Sequence, residues 1–148
     1  MPKIDLAIWR GYHAPALDLG HRISAIRLRA SVSVLTESGW SVFHRAVIDT
    51  GAPISVFPPA IWKHARHASL GRVRIGGLAR REACQIPAIL AEVDCALSDG
   101  QRSLGPLRMH AYLAEVENTP ALIGILGFIE NGVLRVDLSN NRAALRMP

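Results

Sequence analysis

The clearest signal along the chain is alternation. From Ile26 to Val34 the apolar residues Ile26, Leu28, Ala30, Val32 and Val34 take every second position, and Arg27, Arg29, Ser31 and Ser33 fill the places between. A period of two sends the first set to one face of a strand and the second to the other, which predicts a half-buried antiparallel strand. Thr36 to Gly39 predicts a turn, and Trp40 to Ile48 a strand running back. Val73 and Ile75 open a hairpin that returns through Ala83 and Ile86. Ile89 to Leu97 and Leu107 to Val116 predict two more strands, with a turn at Ser98 to Gln101. Leu134, Val136 and Leu138 alternate with Arg135 and Asp137, and a turn at Ser139 to Asn141 leads to a last strand at Ala143 to Leu145. Pro58 and Pro59 start a short helix reaching about Arg66, since proline suits a first helical turn. Before all of this, Met1 to His21 has weak periodicity broken by Pro2, Gly11, Pro15 and Gly20, and predicts an extended arm of up to one strand. About seven short strands with little helix predict a small all-β barrel or sandwich.

One stretch breaks the usual rule for strand ends. Ala46, Val47 and Ile48 run as a buried strand into Asp49, Thr50, Gly51 and Ala52, and a second apolar run, Ile54, Val56 and Phe57, follows. A strand of this kind normally ends in solvated turn residues. Here a carboxylate sits between two core segments, and Asp is seldom buried without a partner. Asp-Thr-Gly is also a common turn tripeptide, so this stretch alone leaves a tight turn and a functional carboxylate both open.

Asp49-Thr50-Gly51-Ala52 between apolar runs resembles the active-site loop of the retropepsin-like aspartic proteases. A second mark of that family, two apolar residues and a glycine opening a short helix, is similar to Leu122, Ile123 and Gly124, with Phe128 and Ile129 following. Ile125, Leu126 and Gly127 offer another register, which places Glu130 where the family prefers an apolar residue. Between the two marks the family has a glycine-bearing hairpin, the flap, and Gly76 and Gly77 stand in about that place. The resemblance spans roughly Ile23 to Leu145 and implies an all-β fold, a small closed barrel of the acid-protease type with one or two short helices. It divides the chain into an N-terminal arm, residues 1–22, and a protease domain, residues 23–148. It assigns Asp49, Thr50 and Gly51 to catalysis, with the Thr50 hydroxyl locking two such loops across a two-fold axis. Ala52, Gly76, Gly77 and Leu78 become substrate-binding residues, Leu78 near the flap tip.

The implied chemistry needs two carboxylates about one water sharing a single proton, because like charges that close cannot both ionise. This chain has one Asp-Thr-Gly; Ser98-Asp99-Gly100 has the wrong order and Asp137 is followed by Leu138. The expectation is therefore a homodimer acting on a polypeptide substrate, with Asp49 and its symmetry mate as the dyad. Two departures bear on it. Where retroviral members often carry an acid after the loop alanine and an arginine after the helix-opening glycine, this chain has Pro53 and Ile125. Both ends of that pair are missing together, so no charge is orphaned. Ala52 also lacks a hydroxyl that could donate to the carboxylate.

Composition narrows the remaining classes. At 148 residues, 49% of them hydrophobic and 20% charged, the chain is one globular domain with a modest core. The longest apolar run, Pro120 to Ile129, falls short of the roughly 18–20 residues a membrane helix needs. Met1 to His13 lacks the pattern of a secretory leader, and the expected location is the cytoplasm. Cys84 and Cys95 make neither a disulfide framework nor a zinc site and read as small core residues. His64 and His67, three apart on the expected helix, have no acid or thiol nearby in sequence and read as surface histidines, so neither a metal nor a cofactor is expected.

The net charge of +5 is uneven: Lys63, Arg66, Arg72, Arg74, Arg80 and Arg81 lie between Trp62 and Arg81 without an acid. A solvated basic face fits better than a nucleic-acid surface, because no interleaved aromatics or nucleic-acid module accompany it. Two alternatives to a peptidase remain: a non-catalytic retropepsin-like module for peptide binding or dimerisation, and a nucleic-acid-binding barrel resting on charge alone.

Overall fold

In the computed structural model, which describes residues 1–76 and 85–148, the elements follow in this order. They are β1 (Lys3–Asp5), β2 (Ala7–Tyr12), α1 (Ala14–Asp18), β3 (Ser24–Thr36), β4 (Gly39–Trp40), β5 (His44–Ile48), β6 (Ser55–Phe57), α2 (Pro59–Trp62), β7 (His67–Ile75), β8 (Ile86–Ser98), β9 (Ser103–Ala114), β10 (Leu122–Ile123), β11 (Val133–Asp137) and β12 (Arg142–Arg146). A kinked helical turn at Ile125–Ile129 lies between β10 and β11. The all-β chain with a small closed barrel and few short helices is the expected fold class.

Six strands close the barrel in the order β3-β5-β10-β6-β9-β8, and β8 pairs back onto β3. β3 shows why the chain folds this way. Its alternating Ala30, Val32 and Val34 are buried, while Arg27 on the other face is exposed. β8 and β9 form the long hairpin with Asp99 N–H donating to Arg102 O at 3.1 Å across its turn. Phe57, Leu97, Leu104, Leu113, Ile123 and Phe128 are buried inside the barrel. A second apolar cluster, Val56, Ile75, Ala88, Ala114 and Leu122, lies apart from it, with Val47, Val73, Ile86 and Tyr112 packed against its edge.

A separate three-stranded sheet, β1-β12-β11, ties the two chain ends together, with Ile4 opposite Leu145 and both fully buried. The N-terminal segment is therefore more structured than its sequence suggests. It holds two strands and a helical turn, β2 pairing with β3 from Ala7↔Arg29 to Tyr12↔Ser24. Its poor periodicity arises because Ile4 and Leu6 enter the core while β2 lies on an outer margin, Ala7 and Tyr12 being exposed.

Other boundaries also move. The expected Trp40–Ile48 strand is interrupted, since the Ser41 hydroxyl accepts Val34 N–H at 3.1 Å and donates to Val42 O at 2.8 Å, leaving Val42 and Phe43 exposed. The helix expected to reach Arg66 stops at Trp62. Arg66 N–H is captured by Leu35 O at 2.8 Å and Ala65 bridges Thr36, so the end of β3 pulls the chain out of the helix. His64 and His67 consequently do not share a helix; His67 opens β7 and its Nδ1 lies 2.9 Å from Ala65 O. Lys63, Arg66, Arg72 and Arg74 are exposed, as a solvated basic face requires. Cys95 is fully buried, and burial first, then Asp94 beside it, pushes its thiol far up from the ordinary value. Cys84, Gly77, Leu78, Arg80 and Arg81 lie outside the described residues.

Candidate active site

β5 and β6 diverge around the loop 49–54, and β10 fills the gap between them. Leu122 pairs with Val47 in parallel and with Val56 antiparallel, so a strand of two residues bridges both sides of the Asp49 loop. Asp49 N–H donates to Ile123 O at 2.8 Å, continuing the β5–β10 ladder one residue past the strand. By strand parity Asp49 follows inward-facing Ile48 and shares the outer face with Val47. Its carboxylate Oδ1 accepts the Gly51 N–H at 2.9 Å, an Asx turn that fixes the side chain. Oδ2 has no protein donor among the described residues. A Cβ on Gly51 would stand 3.2 Å from that same Oδ1, so glycine leaves the carboxylate room.

Gly124 holds the loop from below. A Cβ there would lie 2.7 Å from Ala52 O, 2.7 Å from the Ile54 carbonyl carbon and 2.9 Å from Ile54 O. Its N–H donates to the buried Ser55 Oγ at 3.0 Å. Ile125 N–H then donates to Ala52 O at 2.8 Å and Leu126 N–H to Pro53 O at 3.0 Å. The two stretches that carry the resemblance, 49–54 and 122–126, are therefore joined main chain to main chain, with no need for a side-chain ion pair between Pro53 and Ile125. Gly124, not Gly127, is the glycine against the Asp49 loop. Gly127 has φ +104° and meets Met109, and this left-handed turn kinks the helix expected after Gly124.

A groove of about 410 Å³ opens beside Asp49. Its walls include Gly51, Ala52, Pro53 and Ile54 from the loop, Val56 and Leu122 from the second apolar cluster, and Tyr112 from β9. Arg74, Ile75 and Gly76 line it from the end of β7, so the root of the β7–β8 hairpin stands over the Asp49 loop. Asp49 and Arg74 are the charged residues among those lining it. Thr50 is exposed, and its hydroxyl has no partner among the described residues. Of the residues singled out from sequence, Asp49, Gly51, Ala52 and Gly76 come together in this groove. Gly77 and Leu78 lie outside the described residues.

Sequence reasoning missed Tyr112, Val56, Leu122 and Arg74 as groove residues. Tyr112 carried a usable signal: it is the partly exposed aromatic between fully buried Ala111 and Leu113, hence on the outer face of its strand. Leu122 stood out in the sequence as the start of the Leu122-Ile123-Gly124 stretch, but its place on the groove wall follows only from the pairing of β10.

No protein-family model matches the sequence, and no curated protein matches it. Among solved structures, a retropepsin-like aspartic protease from Rickettsia conorii is similar, with a TM-score of 0.48 and 13% identity, over 99% of this chain and 98% of that one.

Proposed function

We propose that this chain is an aspartic endopeptidase that works as a homodimer, each copy contributing Asp49 to a dyad about one water. The observation that carries the reading is the setting of Asp49. A carboxylate with one oxygen fixed by Gly51 N–H stands at the wall of an apolar-floored groove, on a loop braced by Gly124 and Ile125. Asp99, by contrast, has both oxygens engaged by main-chain donors, Oδ1 accepting Gln101 and Arg102 N–H in its own turn and Oδ2 accepting Asp5 N–H from β1. In the dimer one carboxylate takes a proton from the water while the other, protonated, polarises the scissile carbonyl.

Thr50, exposed on the loop, contacts its symmetry mate, and Gly76 lines the groove that takes a polypeptide. Exposed Tyr12, Leu17, Leu19, Ile23 and Ile26 support association. β3 runs on from Leu28, its last partner of β5, to Ser24, so this apolar margin extends beside the Asp49 loop.

The test is hydrolysis of a peptide library by wild-type protein and by Asp49→Asn, with circular dichroism and thermal melts on both. Asp49→Asn is expected to abolish cleavage and keep the fold. Undiminished cleavage by a pure Asp49→Asn preparation removes the assignment. Peptide binding by the wild type without any turnover transfers the chain to a non-catalytic peptide-binding module.

A further inference from the structure

The outer face of β3 carries positive charge beside the groove. Arg27 and Arg29 lie opposite Trp9 and Ala7 of β2, and Arg29 and Ser31 lie opposite Val47 and Arg45 of β5. The last β3–β5 pair is Leu28↔Ile48, so Arg27 falls at the height of the next residue, Asp49. Val47 belongs to the edge of the same apolar cluster as Val56, Leu122 and Tyr112, which floor the groove. The arginines thus share a face with the groove floor, with neighbouring strands spaced about 5 Å apart.

Both guanidinium groups gather on one ring. The Arg29 guanidinium carbon lies 5.0 Å and that of Arg27 5.8 Å from the Trp9 centroid, at cation–π range. Among the described residues, neither they nor Arg45 have a carboxylate within 4.0 Å. The Arg29 Nε is buried and has no hydrogen-bond partner among the described residues. A buried donor left unsatisfied is costly, and more so on a charged group. A second groove of about 560 Å³ is lined by Trp9, Arg29, Ser31 and Arg45. Asp5, Asp99 and Arg102 also line it, but Arg102 donates to Asp5 at 2.7 Å and to Asp99 at 3.2 Å, so these acids are already engaged. The groove therefore keeps uncompensated positive charge at Arg29 and Arg45.

We infer that this groove binds an acidic side chain of the polypeptide substrate, on the β3 side of Asp49, with Arg29 as its main contact and Arg27 and Arg45 as flanking charges. The inference rests on the peptidase reading and names its substrate class: chains carrying Asp or Glu to one side of the cleaved bond. A carboxylate is matched to this setting because guanidinium offers it parallel N–H donors and the Arg29 guanidinium lies over the Trp9 ring.

The experiment compares kcat/KM for paired peptides that differ by Glu against Gln at each position around the scissile bond. The wild type is expected to favour Glu at one or two positions by about ten- to a hundredfold, the range of a hydrogen bond to a charged group. In Arg29→Gln that ratio collapses towards one, and Arg45→Gln lowers it if Arg29→Gln fails to fold. Binding is measured separately, by anisotropy of a labelled Glu peptide and its Gln twin on Asp49→Asn protein with and without Arg29→Gln, at low and high salt. Salt-sensitive binding of the Glu peptide that needs Arg29 supports the inference even where no peptide is cleaved, an outcome that would sink the hydrolytic reading alone. Cleavage with no preference for Glu overturns the inference and leaves the peptidase standing. Equal binding of both peptides, or none of either, also overturns it.

Discussion

Replacing Gly124 by alanine tests whether the contact between the Asp49 loop and the chain after β10 organises the site. Gly124 has φ −86° and ψ −172°, an extended conformation open to any residue, so the substitution carries no backbone penalty. All of its cost is steric. The new methyl would sit 2.7 Å from Ala52 O and from the Ile54 carbonyl carbon, where carbon contacts prefer about 3.5–4 Å. Those neighbours are main chain and cannot rotate aside, so loop 52–54 must retreat by roughly 0.5–1 Å. Such a shift stretches the 2.8 Å and 3.0 Å bonds from Ile125 and Leu126 N–H beyond good geometry.

Overpacking costs about 1–3 kcal/mol and each weakened bond up to about 1 kcal/mol, which together give about 2–4 kcal/mol. With a urea slope of about 2 kcal/mol per molar, the midpoint should fall by about 1–2 M. Tryptophan fluorescence at equilibrium reads this directly. Ala52 N–H donates to Asp49 O at 3.2 Å, so the displaced loop carries the carboxylate with it. Peptide turnover should therefore fall further than the unfolded fraction explains. A midpoint within about 0.3 M of wild type together with unchanged kcat/KM would refute the reasoning, because it would mean the loop tolerates the methyl without moving.

Ile26→Asp, at an exposed position beside the Asp49 loop, should leave the monomer folded and raise the dimer Kd by at least about thirtyfold, since a two-fold contact is lost twice; sedimentation equilibrium with an unchanged Kd would remove this margin from the dimer. A Cβ at Gly76 would meet nothing within 4 Å among the described residues, so in Gly76→Ala stability should hold to within about 0.5 kcal/mol while turnover drops as bulk enters the groove, and steady-state kinetics equal to wild type would deny Gly76 a place over the substrate. Asp99→Asn should cost about 1–2 kcal/mol near neutral pH, because the carboxylate accepts N–H bonds from Asp5, Gln101 and Arg102 and pairs with the Arg102 guanidinium. Partial burial pushes this carboxyl up, but those partners outweigh it and hold it well below the usual range. A lowered folded value means stability present above the unfolded value of about 3.9 and lost as pH falls towards the folded one, so the gap between Asp99→Asn and wild type should close below about pH 4. A gap constant in urea melts from pH 7 down through that window would contradict the sign.

What the sequence alone determined is local and periodic. Alternation over Ile26–Val34 marked β3 and its inward face, because a period of two is written in adjacent residues and needs no partner to be read. Apolar runs on both sides of Asp49 placed that carboxylate at a strand end, and β8, β9 and their turn were legible for the same reason.

Tertiary structure decided the rest, because non-local pairing leaves little trace in neighbouring residues. β10 has two residues, too few for any period, yet it bridges β5 and β6 and carries the closure of the barrel. β1 finds its register only against β12, at the far end of the chain. The Trp9 cluster likewise depends on β2 pairing beside β3, which alone brings Arg27 and Arg29 onto one ring. Gly124 could be marked in the sequence by its place after Leu122 and Ile123, but its physical role appears only when folding sets Ala52 and Ile54 against its Cα, where no side chain fits without moving the loop that holds Asp49.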